Sequence, residues 1–424
     1  MRQPASNPAV EPVTERIQRD VLNLSQIRHP DEPGWTREVF TDPYRESREW
    51  VSATMRAAGL EVHLDGAGNI IGILHGREPS APAIVTGSHT DTVIGGGRFD
   101  GIVGVLGALE LVRQLGERGE QLERDLLVVD FLGEESNDFG LSCLGSRALA
   151  GELTPADLDR RNGAGVSLGE RYTAYGLDPS GVIAADWARR RPLHGYVELH
   201  VEQGRVLERH GTPIGVVTAI AGIERLLATF EGRADHAGTT PMDERRNAMV
   251  AAAEGVLVIE RQGCGAPVHA VATTTRLASQ PDSANVVPGT VKLRAEVRSI
   301  DEEWISTARR SIADEILQKA REHDVEVEFD WTSDNAVVRT STEIHDVLAL
   351  AADRQGLAWK AVPSGATHDA VHLAKLCPMG MVFVPSRDGR SHCPEEWTEF
   401  EDVAAGVSVL TSAVLELDRI DNLL

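Results

Sequence analysis

Cysteine is scarce. Only Cys143, Cys264, Cys377 and Cys393 occur in 424 residues, and no two of them stand at a paired spacing. That argues against a disulfide framework and fits a reducing, cytoplasmic setting. Positive charge is also in short supply, with 42 lysines and arginines against 65 acids and a net charge of −23. Nucleic acid and anionic membrane surfaces both need a basic face, so neither is expected as a partner. An anionic small substrate is still compatible with this balance if metal ions and a few arginines make its site locally positive. No apolar run approaches the ~20 residues that a membrane span requires. The first eight residues hold no apolar stretch behind Arg2, so no secretory signal is expected there. Low-complexity segments and internal repeats are missing as well. With 42% hydrophobic and 25% charged residues the composition is that of a globular protein, and 424 residues exceed what one core usually serves.

What is present centres on the stretch from Gly87 to Gly104, which puts His89, Asp91 and Asp100 into one glycine-rich loop. Upstream, Ala83-Ile-Val-Thr-Gly-Ser88 reads as a buried strand that delivers His89 at its end. Downstream, Ile102, Val103, Leu106, Leu109 and Val112 recur at helical spacing, which puts Asp100 at a helix N-terminus. Read alone, Asp100 is either a metal ligand or a plain N-cap.

Residues 13–60 read as amphipathic helix interrupted by a loop near Pro30–Trp35. A second strand, Asp125–Gly133, runs into Glu134-Glu135, and a third, Val197–Gly204, places His200 beside Gln203. From about Gly215 to Asp334 the pattern becomes β, α, β, β, α, β, with strand-like segments Ile220–Glu231, Ala270–Arg276, Val286–Ser299 and Val325–Asp330. The helix between the last two repeats Trp304, Ile305, Ala308, Ile312, Ile316 and Ala320 on one face. An antiparallel sheet backed by two helices is expected there, as an insert spanning 216–334. Residues 1–215 and 335–424 then form the larger domain, with helix at Ile344–Gln355 and Glu401–Leu417 and strand at Met381–Val384. The fold class is α/β: a mixed-sheet domain with helices on both faces, plus a smaller inserted α+β domain.

His89, Asp100, Glu134, Glu135, His200 and His392 all fall at strand ends or in the loops that follow. In an open α/β sheet such positions converge on one crevice. Imidazole and carboxylate are the ligands of Zn, Mn or Co, and two ions roughly 3.5 to 4 Å apart need one carboxylate to bridge them. Of two adjacent acids, one can ligate while the other takes a proton from an activated water.

These segments resemble the amidohydrolase branch of the M20 metallopeptidase family, which holds N-carbamoyl-L-amino-acid hydrolases, β-ureidopropionases and allantoate amidohydrolases. The resemblance is carried by Gly87-Ser-His-Thr-Asp-Thr92, Gly97-Arg-Phe-Asp-Gly101, Gly133-Glu-Glu-Ser136 and Glu198-Leu-His-Val-Glu-Gln-Gly204. Ala234–Met242, Ser283–Gly289, Ser364–Ala370 and Val384–His392 continue it in order, from about residue 15 to 415. It implies one metal on His89, Asp100 and His200, and a second on Asp100, Glu135 and His392, with Asp100 bridging. The ions implied are Zn, Mn or Co, with Ni as a further possibility. It also implies that Glu134 is the general base and that Asp91 supports His89. The insert becomes a lid and dimerisation domain whose His236, Asn285 and Arg298 reach the substrate, in a homodimer that completes a neighbouring site. Gln203 and His368 are the remaining candidates for substrate contact.

Blander readings accompany several of these. Arg298 could be an edge-strand surface charge, Gln203 a strand-end hydrogen bonder, His368 part of a turn, and Cys393 packing. Three departures from the family pattern are Asn247 and Glu296, where aspartate is usual, and Thr367, where glycine is common. The activity implied is hydrolysis of a ureido C–N bond, foremost in an N-carbamoyl-L-amino acid. Allantoate or ureidoglycolate cleavage, or N-acyl amino-acid and dipeptide hydrolysis, are the alternatives.

Overall fold

The computed structural model describes residues 11–185, 191–421 and 423, so the N-terminal stretch considered above as a signal lies outside the described residues. In chain order the strands are β1 (Glu61–Leu64), β2 (Ile70–Leu74), β3 (Ala83–His89), β4 (Leu126–Phe131), β5 (Leu193–Val201), β6 (Ile214–Ile220), β7 (Gly222–Glu231), β8 (Asp235–His236), β9 (Val271–Gln280), β10 (Val286–Val287), β11 (Thr290–Ser299), β12 (Glu326–Asn335), β13 (Val338–Arg339), β14 (Trp359–Ser364) and β15 (Met379–Val384). They distribute over two compact units. One comprises Met1–Thr218, Thr340–Val362 and His368–Leu424; the other comprises Ala219–Arg339 and Pro363–Thr367.

The sheet of the first unit runs β1-β2-β4-β3-β5-β15-β6, with β14 also on β6. Its centre is parallel: β3 pairs in parallel with β4 and β5, and β15 with β5. Its flanks are antiparallel, which makes the sheet mixed. Every residue of β3 and β4 is buried, as is all of β5 after Leu193, so helices and loops cover both faces. Along β5 the two-residue period divides the labour. Val197, Leu199 and Val201 enter the core shared with helices Ile102–Arg118 and Phe400–Leu417, and the opposite face carries Tyr196, Glu198 and His200.

The second unit has its own core, in which Leu226, Phe230, Val291, Leu293, Ile312 and Ile316 meet. Its four-stranded sheet, β12-β7-β11-β9, is antiparallel throughout. Helices Ala248–Cys264 and Glu302–Glu322 back it, the latter burying Ile305, Ala308, Ile312, Ile316 and Ala320. A mixed α/β domain and a smaller antiparallel α+β domain are therefore both present, as the patterning predicts.

Several details differ from the sequence expectation. The single strand expected over Val286–Ser299 is broken into β10 and β11 at Pro288-Gly289, where proline offers no N–H to a ladder. β11 lies between β7 and β9, so Arg298 is on an interior strand and not an edge. Strands β1, β2, β8, β13 and β14 were not expected at all, and β6 only at its last residue, Ile220.

One glycine in β3 is indispensable to this arrangement. Gly87 has φ +141°, and a Cβ built on it would overlap the carbonyl oxygen of Val129 on β4. Gly87→Ala is expected to cost about 3 kcal/mol or more through combined strain and overpacking. Thermal denaturation should show a marked fall in Tm or no folded protein, and an unchanged Tm would contradict this account.

Candidate metal centre

Parallel strands β3, β4, β5 and β15 all end on one side of the sheet, and that edge collects the chemistry. β3 stops on His89, and β4 runs on through Leu132-Gly133 to Glu134 and Glu135. His200 is the penultimate residue of β5, while the chain after β15 reaches Ser391 and His392. Two residues at this edge take left-handed backbone conformations despite carrying side chains: Gln203 at φ 56° and His392 at φ 55°. Such backbone strain gathers at sites that need a fixed geometry.

Asp100 is the hub. Its Oδ1 lies 3.2 Å from His200 Nε2 and 3.8 Å from His89 Nε2, and its Oδ2 lies 3.1 Å from His392 Nε2. Glu135 Oε1 sits 3.3 Å from the same His392 nitrogen, and Glu134 Oε2 sits 3.6 Å from His89 Nε2. The N-cap reading of Asp100 does not hold, because Gly101 occupies that position and no side chain caps the helix. Ligand atoms of His89, Asp100 and His200 lie within 4.8 Å of one another, as do those of Asp100, Glu135 and His392. A further group, Glu198, His200 and His368, meets the same limit, but Glu198 already accepts from Ser88 Oγ at 2.7 Å and Tyr196 OH at 2.9 Å.

The electrostatics show what this cluster requires. Burial pushes the Glu134 carboxyl well above its usual range, and burial with Asp100 alongside raises Glu135 to about 7. Burial pulls His89 down, yet Glu134, Asp91 and Asp100 outweigh it and hold the imidazole well above normal. A hydrogen bond to Asp100 raises His392 to about 9. Burial likewise pushes Asp100 up, but hydrogen bonds from His200 and His392 keep it well below the carboxylate range. Buried acids thus draw positive charge from the imidazoles between them. Divalent cations of the Zn, Mn or Co type supply that charge to the same nitrogen and oxygen donors, so the residues present fit metal binding.

The supporting residues are arranged partly as expected. His89 Nδ1 makes its closer contact with the backbone carbonyl of Asp91, at 3.1 Å, against 3.6 Å to the Asp91 carboxylate. That carboxylate accepts instead from the backbone N–H groups of Glu134 and Glu135, at 3.1 and 3.0 Å, and so sets the position of the acid pair. Gln203 donates to Asp100 Oδ2 at 2.6 Å. His368 is buried with its ring 4.5 Å from that of His200, and burial holds its imidazole well below the usual range.

Sequence reasoning passed over Cys143, Ser391 and Glu396. Cys143 Sγ donates to Glu134 Oε1 at 3.6 Å, and Ser391 Oγ lies 2.8 Å from Asp100 Oδ2. Glu396 is buried while its neighbour Glu395 pairs with Arg390 at the surface. The signal available for it was one acid of an adjacent pair, four residues beyond a candidate ligand.

In the second unit, His236 Nδ1 accepts from the N–H groups of Gly238 and Thr239, which leaves the ring proton on Nε2 as a donor. Asn285 is exposed, and its Oδ1 accepts from Ser283 Oγ. Arg298 is held by Glu296 Oε1 at 2.8 Å and by the carbonyl of Gly365 at 3.0 Å. Asn247 caps helix Ala248–Cys264 through Met249 N–H, a task asparagine performs as well as aspartate. Thr367 Oγ1 donates to Asn335 Oδ1.

Known proteins are similar to this chain in sequence and in fold. A match to peptidase family M20/M25/M40 spans residues 85–416. An N-carbamoyl-L-amino acid amidohydrolase of Geobacillus stearothermophilus is 39% identical over 95% of this chain and 98% of its own. A ureidoglycolate hydrolase of Arabidopsis thaliana is 36% identical over 95% and 86%. The crystal structure of AtUAH in complex with glyoxylate superposes with a TM-score of 0.86 at 34% identity, covering 96% of this chain and all of the other. Motifs, fold and relatives agree that the chain belongs to peptidase family M20/M25/M40, as a hydrolase of its amidohydrolase branch.

Proposed function

We propose that this hydrolase cleaves a ureido C–N bond, foremost that of an N-carbamoyl-L-amino acid, to give the L-amino acid, carbon dioxide and ammonia. The observation that carries the reading is Asp100, placed so that its two oxygens face two separate imidazole-containing donor groups, with the buried Glu134 carboxylate beside one of them. In this reading His89, Asp100 and His200 would hold one divalent ion and Asp100, Glu135 and His392 a second. When bound, the two ions supply Lewis acidity to a water and to the scissile carbonyl. Glu134 would take the proton from the attacking water and pass it to the departing nitrogen. Asp91 keeps Glu134 and Glu135 at fixed positions through their backbone amides. Arg298, with Nε on Glu296 and Nη1 on the Gly365 carbonyl, keeps Nη2 to offer a substrate carboxylate, and the Nε2–H of His236 suits a developing oxyanion. We further infer that residues 216–334 act as a lid and dimerisation domain in a cytoplasmic homodimer.

A second reading is ureidoglycolate or allantoate cleavage. It is favoured by the 36% identity to the Arabidopsis thaliana ureidoglycolate hydrolase. A panel of N-carbamoyl-L-amino acids, ureidoglycolate, allantoate, N-acetyl amino acids and dipeptides, assayed with manganese or cobalt, separates the readings. Ammonia is expected from at least one N-carbamoyl-L-amino acid. Release from allantoate or ureidoglycolate alone replaces the first reading with the second, and cleavage of N-acetyl substrates or dipeptides alone refutes both.

A further inference from the structure

Beyond the proposed ligands, a buried acid ties two distant loops of the first unit together. Glu396 Oε1 accepts from the backbone N–H of Phe99 at 2.7 Å and of Asp100 at 3.1 Å. Its other oxygen, Oε2, lies 2.7 Å from Ser391 Oγ, and the same hydroxyl lies 2.8 Å from Asp100 Oδ2. Glu396 thus holds Asp100 at the main chain directly, and Ser391 Oγ stands between the two carboxylates with one proton to offer to either. Glu396 spans 296 residues of sequence to reach Asp100.

The opposite loop is shaped to receive it. A Cβ on Gly97 would overlap the Glu396 carboxyl group, so the glycine before Arg98 leaves the space that the acid fills. Phe99 closes the same region, its ring 5.3 Å from Trp397 and 5.6 Å from Phe400 in edge or tilted contact. Glu396 is 2% exposed and its bonds from Phe99 and Asp100 are buried, which makes each of these two costly to lose.

We infer that Glu396 is a positioning residue: with Ser391 it fixes the orientation of the Asp100 carboxylate and the closeness of the His392 loop to it. The inference rests on the ligand set proposed above, in which Asp100 and His392 hold metal. His392 is exposed and sits on a loop with left-handed backbone, so nothing in a regular element sets its place. The Glu396–Ser391 link supplies that constraint. A network of this kind beyond a metal's ligands typically contributes about 10- to 100-fold in affinity.

Geometry and charge make different predictions for two substitutions. In Glu396→Gln the amide oxygen still accepts from Phe99 and Asp100, and its NH2 donates to Ser391 Oγ, which leaves the hydroxyl proton for Asp100. In Glu396→Ala both N–H groups lose their acceptor, and Ser391 Oγ keeps Asp100 Oδ2 but loses the side chain that holds it in place. The test is calorimetric titration of manganese into chelator-stripped full-length protein, together with thermal denaturation of each metal-free variant. Glu396→Ala is expected to weaken manganese affinity by about 10-fold or more, and Glu396→Gln to restore it to within about threefold of the unaltered chain. Ser391→Ala, at a partly exposed position that should not impair folding, is expected to weaken affinity by a smaller factor and to add little on top of Glu396→Ala.

A lower Tm for Glu396→Ala with unchanged affinity overturns the inference and leaves Glu396 as a core acid. Loss in Glu396→Gln equal to that in Glu396→Ala also overturns it, since charge and not geometry would then matter. If Glu396→Ala does not fold, Ser391→Ala decides: normal affinity in that variant overturns the inference. Failure of the unaltered protein to bind manganese would sink the metal reading together with this one. Because the readout is metal affinity, neither outcome depends on which substrate is cleaved.

Discussion

Glu134→Gln is expected to retain its metal ions and to lose turnover by about a thousandfold, within the roughly 10²- to 10⁴-fold range of a lost general base. Glutamine keeps the size and the hydrogen-bonding reach of the side chain but cannot accept a proton. The position is 6% exposed, so no bulk water replaces the carboxylate at short range. Its backbone N–H stays on Asp91 and Cys143 still has an oxygen to meet, so the local structure should persist. Glu135→Gln is the informative contrast. That residue faces His392 and Asp100, and its loss is expected to lower metal content before it lowers the chemical rate. Elemental analysis beside ammonia release separates the two. Near-normal turnover in Glu134→Gln, or metal loss in it comparable to Glu135→Gln, would reverse the assignment of base and ligand.

Asp100→Ala should abolish activity by removing both ions, whereas His392→Ala should remove one. Asp100 faces His200 and His89 with one oxygen and His392 with the other, so both donor groups depend on it. Truncation also strips the acceptor from Gln203 and leaves His200 and His392 facing each other without an intervening negative charge. His392 touches only the second group and stands exposed at its margin. Metal counted per chain after gel filtration is the measurement. Equal losses in the two variants would remove the case for Asp100 as a bridge.

Much of this was legible from residue order because strand periodicity is a local property. Alternation along Val197–Val201 announces a strand with His200 on a polar face, and Glu134-Glu135 follows a visible apolar run. The helix over Trp304–Ala320 was equally plain from its spacing. β1 escaped because only Val62 and Leu64 mark it and three of its four residues are exposed, β2 because Gly72 interrupts its apolar run, and β14 because Lys360 and Pro363 break its pattern.

By itself the sequence determined the α/β class with its inserted domain, the family, and which imidazoles and carboxylates stand at strand ends. Those follow from patterns and motifs that short windows of chain contain. Only the tertiary structure decided that Asp100 is no helix cap, that Asp91 grips the amides of Glu134 and Glu135, that Arg298 lies on an interior strand, and that Glu396 reaches Asp100. All but the first are contacts between segments tens to hundreds of residues apart. Their geometry is set by sheet order and burial, which no local spacing encodes.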